Sequence, residues 1–89
     1  MIIGRVIGNV WATRKDKSLN GLKLLVIETL DYGSGEKKGS FVAVDSVGAG
    51  IGEQVLVVKG NAARKALDYG DAAVDATVVG IIDEVEVKG

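Results

Sequence analysis

Short apolar segments separated by polar or glycine-rich stretches mark this chain as a series of strands. The first covers residues 2–13, where every even-numbered position is apolar or glycine and the odd positions include Arg5 and Asn9. A short helix is predicted at Asn61–Leu67, because Asn61 can cap its start and Gly70 lies just past its end. The predicted strands are 2–13, 22–31, 41–44, 54–58 and 73–87, with polar loops at 14–21 and 32–39.

Glycines inside the first strand indicate how tightly the sheet is coiled. Gly4 and Gly8 lie among its apolar positions, and a glycine inside a strand usually marks a bend or a close approach of backbones. Such bends suit a small barrel. We therefore expect a mainly β fold, a five-stranded OB-like barrel with one short helix before the last strand, and we expect residues 1–89 to form a single domain.

Three of the predicted strands are apolar on both faces. Residues 24–27, 55–58 and 78–82 contain runs of Leu, Val and Ile that do not alternate with polar residues. An antiparallel sheet with one solvated face normally alternates, and one small barrel cannot hide both faces of three strands. Burial of the outer faces against other copies of the chain is the interpretation we favour. The alternative is that the helix and loops cover them.

A loop of alternating glycines, Gly48-Ala49-Gly50-Ile51-Gly52-Glu53, separates the third and fourth predicted strands. A phosphate-binding loop requires a glycine loop that leads from a strand into a helix, with the spacing G-x-G-x-x-G. Here a strand follows, and the spacing is G-x-G-x-G, so a dinucleotide site is excluded. Two explanations stay open: a turn that needs glycine for positive φ, or a loop pressed against a neighbouring chain.

The chain lacks the two side chains most often used in enzyme catalysis. The 89 residues include neither histidine nor cysteine, which are the commonest metal ligands, general bases and thiol nucleophiles. Asp45 and Glu53 flank the glycine loop as a conceivable acid–base pair, but we expect one or both to accept backbone N–H groups and to fix the loop's shape. We predict no catalytic activity, no cofactor and no metal.

The net charge of −1 argues against a polyanion partner, and the lack of a long apolar segment argues against a membrane span. OB folds often bind single-stranded nucleic acid, and the basic segment Arg14-Lys15-Asp16-Lys17 lies between the first two strands, where that site commonly forms. However, Asp16 lowers the positive charge of this segment, and Trp11 is the one aromatic residue nearby. Nucleic-acid binding is therefore the alternative rather than the expectation. No stretch resembles a membrane span or a signal peptide, and we expect a soluble cytoplasmic protein that contacts no membrane.

Several segments resemble the EutN/CcmL family, the pentameric vertex proteins of bacterial microcompartment shells. The most specific similarity is the motif D-x-V-G-A-G-x-G-E within VDSVGAGIGEQVLVVKGNAAR. The opening IIGRVIGNVWATRKDKSLNGLKLLVIETLD and the closing AVDATVVGIIDEVEV are also similar to the family's first two strands and its last. One departure is Gly60-Asn61-Ala62-Ala63-Arg64, where the family often has Gly-Ser-Ser-Ala-Arg.

The resemblance implies a structural protein of the compartment shell that assembles into a homopentamer and contacts hexameric shell proteins. We predict two contact regions. The glycine loop is predicted at the subunit interface or five-fold axis, through Gly48, Ala49, Gly50, Gly52 and Glu53. The edge that meets the hexamers is predicted at Gly60, Asn61, Ala62, Ala63 and Arg64.

Overall fold

The computed structural model describes residues 1–12, 17–30, 37–67 and 74–87, with backbone alone at 37, 38, 64 and 67. These residues form five strands and one α-helix, with a single 3-10 turn at Lys17–Leu19. The elements in chain order are β1 Ile2–Val10, β2 Leu24–Leu30, β3 Lys37–Asp45, β4 Gln54–Lys59, α1 Asn61–Leu67 and β5 Ala76–Ile82.

The strands close into a barrel in the order β1-β2-β3-β5-β4, with β4 returning to β1. All neighbours are antiparallel except β3 and β5, which pair in parallel over two residues. The mainly β, OB-like barrel with one helix before the last strand is thus confirmed, and α1 has the predicted bounds.

Two irregularities coil β1 around the barrel, as its glycines predicted. A side chain at Gly4 would overlap Cγ2 of Ile27 and lie 2.9 Å from the carbonyl oxygen of Glu28, so the β1 and β2 backbones meet at a distance only glycine permits. At Ile7 the register with β2 shifts by one residue, because Val6 pairs with Ile27 whereas Gly8 pairs with Val26. This bulge bends the strand and leaves Ile7 half-exposed.

Small and branched aliphatic side chains fill the barrel. Leu25, Ile27, Val55, Val57 and Val78 are completely buried at its centre, together with Val6, Ala43, Ala49 and Ala76. A second cluster of Val44, Ala63 and Val74 lies under α1, with Leu19, Leu22, Leu24 and Val58 packed against it. The helix therefore covers part of the outer surface, as the alternative to oligomerisation supposed.

Several predicted strand boundaries were wrong. The third strand begins at Lys37, inside the predicted loop 32–39, because its first residues pair with the end of β2 despite their polar side chains. The fifth ends at Ile82 rather than 87, because Ile82 pairs with Gln54, the first residue of β4, and β4 offers no further partner. Positions 13, 31 and 73, where three further boundaries were predicted, lie outside the described residues. The predicted strands were nevertheless too long within the described residues, because β1 ends at Val10, β2 begins at Leu24 and β5 begins at Ala76.

Candidate functional site

The glycine loop, residues 46–53, connects β3 to β4 and is held in shape by the carboxylates at its two ends. The Oδ1 atom of Asp45 accepts the N–H groups of Val47 at 3.0 Å and Gly48 at 3.1 Å. The Oε1 atom of Glu53 accepts the N–H of Gly50 at 2.7 Å. Both carboxylates therefore organise the loop, as expected from the sequence, and neither is an isolated acid or base.

Further hydrogen bonds fix the loop to the barrel. The amide of Gly52 donates to the carbonyl of Val6 at 2.8 Å, and the amide of Val6 donates to the carbonyl of Glu53 at 3.0 Å. These bonds extend the antiparallel pairing of β1 and β4 beyond Arg5 and Gln54 and into the loop as far as Gly52. On the other side, the hydroxyl of Ser46 donates to the carbonyl of Val78 at 2.6 Å.

A lysine ties the loop to the start of β2. The ammonium group of Lys23 donates to the carbonyl oxygen of Ala49 at 3.2 Å, and the carbonyl of Lys23 accepts the amide of Asp45 at 2.9 Å. The loop is consequently anchored to β1, β2 and β5, and its orientation relative to the barrel is fixed.

Ala49 turns into the barrel rather than out of it. Its side chain is completely buried among the central core residues of its own chain. A larger residue here would therefore overpack the subunit core, so the predicted subunit contact cannot be tested at this position. Because its side chain is covered within the subunit, the proposed contact depends on the other residues of the loop.

The glycines of the loop have different structural roles. Gly48 and Gly52 adopt φ values of 80° and 94°, which other residues reach only with strain, so the turn itself requires them. Gly50 has no positive φ, and a side chain there would lie 3.4 Å from Oε1 of Glu53. Positive φ therefore explains the glycines at positions 48 and 52. It does not explain the glycine at position 50.

The outer surface of the loop is apolar. Ile51 is 63% exposed and Val47 is 40% exposed, although both are held by a rigid backbone. Ile7 of β1, the residue after Val6, which accepts the Gly52 amide, is 45% exposed. We call Ile7, Val47 and Ile51 the loop surface. Exposed apolar side chains on a fixed scaffold are typical of a protein contact.

The predicted hexamer-contact segment lies at the start of α1. Gly60, with a φ of 64°, donates its amide to the carbonyl of Asp75 at 2.8 Å, and this fixes the entry to the helix. Gly60, Asn61 and Ala62 are exposed, whereas Ala63 is completely buried beneath the helix. The side chain of Arg64 lies outside the described residues.

A groove beside the β1–β2 connection was not predicted from the sequence. Its cavity of about 550 Å³ is lined by the end of β1 and the start of β2, and Trp11 on its wall is 90% exposed. We call this the hairpin groove; its residues are Asn9, Val10, Trp11, Ala12, Leu22, Lys23 and Leu24. The signal in the sequence was the odd-numbered position of Trp11, which it shares with the exposed Arg5 and Asn9, whereas the buried Gly4 and Val6 are even-numbered.

Arg14, Lys15 and Asp16 of the predicted basic segment lie outside the described residues. The described residues contain no group of three or more Asp or Glu residues that could hold a metal ion. Among their aromatic residues, Trp11 is exposed, whereas Phe41 is half-buried with the Lys59 ammonium 4.1 Å from its ring centre. Stacking platforms for single strands use aromatic residues along a basic groove. No helix in the described ranges has the length and apolar character needed to cross a membrane.

Comparison with known proteins identifies the family. The model of the family described as "Ethanolamine utilisation protein EutN/carboxysome" matches residues 1–83. The chain belongs to this EutN/CcmL family. The glycine loop, the start of α1 and all five strands lie within the matched residues, so the resemblance inferred from the sequence is confirmed.

Individual relatives match over nearly their whole length. The carboxysome shell vertex protein CcmL of Synechocystis sp. is 47% identical, over 98% of this chain and 87% of that protein. The bacterial microcompartment shell vertex protein GrpN of Rhodospirillum rubrum is 45% identical, over 97% of both chains. A solved structure of GrpN, described as a pentameric microcompartment shell protein, superimposes with a TM-score of 0.88 at 44% identity, covering 99% of this chain and all of that one.

Proposed function

We propose that this chain forms a cyclic homopentamer that caps the vertices of a polyhedral bacterial microcompartment. The observation that carries the proposal is the match, over almost the whole chain, to family members named as shell vertex proteins and to a solved pentameric shell protein. In this role the chain acts as one domain, residues 1–89, within the shell.

The geometry of a closed shell explains the need for such a protein. A flat lattice of hexagonal tiles cannot close into a polyhedron, so a five-fold unit is required at each corner. A cyclic pentamer arises when one surface of each protomer binds a different surface of the next and the rotation closes after five copies. The function is then assembly rather than catalysis.

The structure supports association through the glycine loop. Its carboxylates and glycines hold the backbone without help from another chain, yet Val47 and Ile51 point apolar side chains into solvent. We propose that Gly48, Gly50, Gly52 and Glu53 form the scaffold of the subunit contact at or near the five-fold axis, with Ala49 locking that scaffold to the core.

The edge that meets hexameric shell proteins is proposed at Gly60, Asn61, Ala62, Ala63 and Arg64. The small exposed residues at the start of α1 would let a facing backbone approach, and the guanidinium of Arg64 would donate to carbonyl or carboxylate oxygens across the seam. Ala63 contributes by packing the helix onto the barrel rather than by direct contact.

Two measurements test the proposal. Native mass spectrometry of the purified chain at micromolar concentration is expected to show a pentamer. Co-expression with hexameric shell proteins of one compartment is expected to give closed shells that contain the chain, whereas shells made without it should remain open at their corners. A monomer or a hexamer would contradict the vertex role, as would closed shells from which the chain is absent.

A further inference from the structure

The edge of β3 that faces away from β2 is only partly paired. β3 pairs with β2 from Lys37 to Val44, whereas it pairs with β5 only at Val44 and Asp45. Because β5 begins at Ala76, no strand of the described ranges lies beside residues 40–43 on that side. We call this part of β3, residues 40–43, the open edge.

Main-chain groups of alternate residues are directed towards the open side of β3. The amide of Asp45 donates to the carbonyl of Lys23, just before β2, at 2.9 Å, so the odd-numbered residues direct their groups towards β2. The amide of Ser46 donates to a carbonyl of β5 at 3.3 Å, so the even-numbered residues face the other way. Since this direction alternates along a strand, Val42 and Ser40 present two N–H and two C=O groups at the open edge.

A small apolar cavity lies beside the open edge. Its volume is about 210 Å³, and its walls include five aliphatic side chains and one carboxylate, namely Leu19, Leu24, Val42, Val44, Val74 and Asp75. Val44 and Val74 are buried, whereas Val42 is 47% exposed and Asp75 is also exposed. Sites for whole small molecules measure roughly 300–1,000 Å³. The cavity is therefore of a size for one or two side chains rather than for a metabolite.

The main chain and the cavity together define the chemistry of an occupant. Extended peptides bind to free sheet edges through main-chain hydrogen bonds, and pockets for alternate side chains give the specificity. Here the cavity selects an aliphatic side chain, and Asp75 selects a cation next to it. Residues i and i+2 of a strand share one face, so the matching sequence is aliphatic-x-Lys or aliphatic-x-Arg. The chain's own segment 83–87 fits poorly, because it carries three carboxylates and no cation.

We propose that the open edge of β3 binds an extended segment of a different protein by strand addition, with an aliphatic side chain in the cavity and a lysine or arginine beside Asp75. The inference rests on the barrel and goes beyond the proposed pentamer, which requires no peptide. Each subunit then holds one flexible segment of another protein, in addition to its contacts within the shell.

A designed peptide tests the pairing of main chains. The capped peptide STITRTS, labelled with fluorescein, contains the aliphatic-x-Arg pattern and is titrated with the purified chain by fluorescence polarisation. Saturable binding is expected. Its amides are then N-methylated one at a time: methylation at alternate residues is expected to weaken binding about tenfold or more, because a buried donor is lost, whereas methylation at the residues between leaves it within about twofold. No binding, or an equal effect at every position, would overturn the inference.

Charge exchange tests the cavity. Asp75→Lys is expected to weaken binding of STITRTS and to bind the peptide STITETS instead, because the charge pair is reversed. The bond from the Gly60 amide to the main-chain carbonyl of Asp75 does not depend on this side chain, and circular dichroism checks the fold. Asp83→Lys is the matched control, since Asp83 is also exposed but does not line the cavity, and its binding should be unchanged. Equal effects of the two variants, or no binding of STITETS by Asp75→Lys, would contradict the assignment.

Native mass spectrometry separates the inference from the proposed function. A pentamer that takes up as many as five peptides supports both. A chain that binds the peptide in the alternating pattern without being pentameric overturns the proposed function and supports the inference. A peptide that dissociates the pentamer would show that the open edge is a subunit contact, and tighter binding of a capped peptide of residues 82–89 would make a second copy the occupant. Either result overturns the inference alone.

Discussion

The hydroxyl of Thr77 donates a hydrogen bond to the carbonyl oxygen of Ala63 at 2.8 Å, and both residues are completely buried. Thr77 is the only buried polar residue among those the structure describes, and it joins β5 to the helix whose start we propose as the hexamer-contact edge. The position of that edge on the barrel therefore depends on this interior hydroxyl as well as on packing and on the bond from the Gly60 amide to the Asp75 carbonyl.

Replacing Thr77 with valine is expected to lower the free energy of unfolding by about 1–2 kcal/mol, because the carbonyl of Ala63 loses its buried donor while the side-chain volume is conserved. Urea unfolding at matched protein concentration measures the change. The same replacement at the partly buried Thr29 is the control, with an expected effect within about 0.5 kcal/mol. Equal effects at the two positions would show that the interior hydrogen bond has no special role.

The two glycines of β1 should respond in opposite ways to alanine. Gly4→Ala is expected to destabilise the fold by about 2 kcal/mol or more, because its new methyl group would overlap Ile27 and approach the backbone of Glu28. At Gly8 the nearest atoms, from Val26, are 3.8 Å away, so alanine fits and is expected to be neutral or stabilising by up to about 1 kcal/mol. Thermal unfolding of both variants checks the pair, and a tolerated Gly4→Ala would mean that the strands can separate.

The sequence predicted most of the barrel, and its errors have local causes. Apolar alternation and glycine positions located β1, β2, β4 and the helix to within a few residues. The start of β3 was missed because Lys37 pairs with Leu30 of β2 in a segment without an apolar pattern. The end of β5 was placed too late because residues 83–87 continue the alternation, although β4 has no residue left to pair with them.

The two carboxylates that support the glycine loop give a further prediction. Glu53→Gln retains an oxygen that can accept the amide of Gly50, whereas Glu53→Ala leaves that amide without its partner. We expect Glu53→Ala to lower the free energy of unfolding by about 1 kcal/mol relative to Glu53→Gln. We also expect a smaller fraction of pentamer for Glu53→Ala, because the loop becomes less ordered. Urea unfolding and native mass spectrometry measure the two effects. Indistinguishable variants would show that the loop keeps its shape without this bond.

The candidate site was only partly predictable from the sequence. Alternating small residues pointed to the glycine loop, but the pattern could not show that Ala49 faces the chain's own core while Ile51 faces solvent. That difference arises because the hydrogen bond from the Gly52 amide to the Val6 carbonyl folds the loop back over the barrel, a contact between residues 46 positions apart. The hairpin groove depends in the same way on how far β1 and β2 extend.

Arg64→Ala is expected to leave the pentamer intact and to prevent it from capping shells when it is co-expressed with hexameric shell proteins. The reason is the loss of the one guanidinium in the proposed docking edge. Lys65→Ala, which removes the neighbouring exposed cation of the same helix, is the matched control and should cap normally. Native mass spectrometry and electron microscopy of the shells provide the readouts. Dissociation of the Arg64→Ala pentamer would place this residue in the subunit interface instead.

Closure of the barrel limits how an unassembled subunit can associate with other chains through its strand edges. Each of the five strands has two neighbours in the sheet, and the one short seam is between β3 and β5, which pair over only two residues. Open sheet edges are the usual starting points of aggregation. Closure therefore confines the open edge to the β3–β5 seam, and along the other strand pairs recognition of other chains resides in side chains that can change without disturbing the backbone pairing.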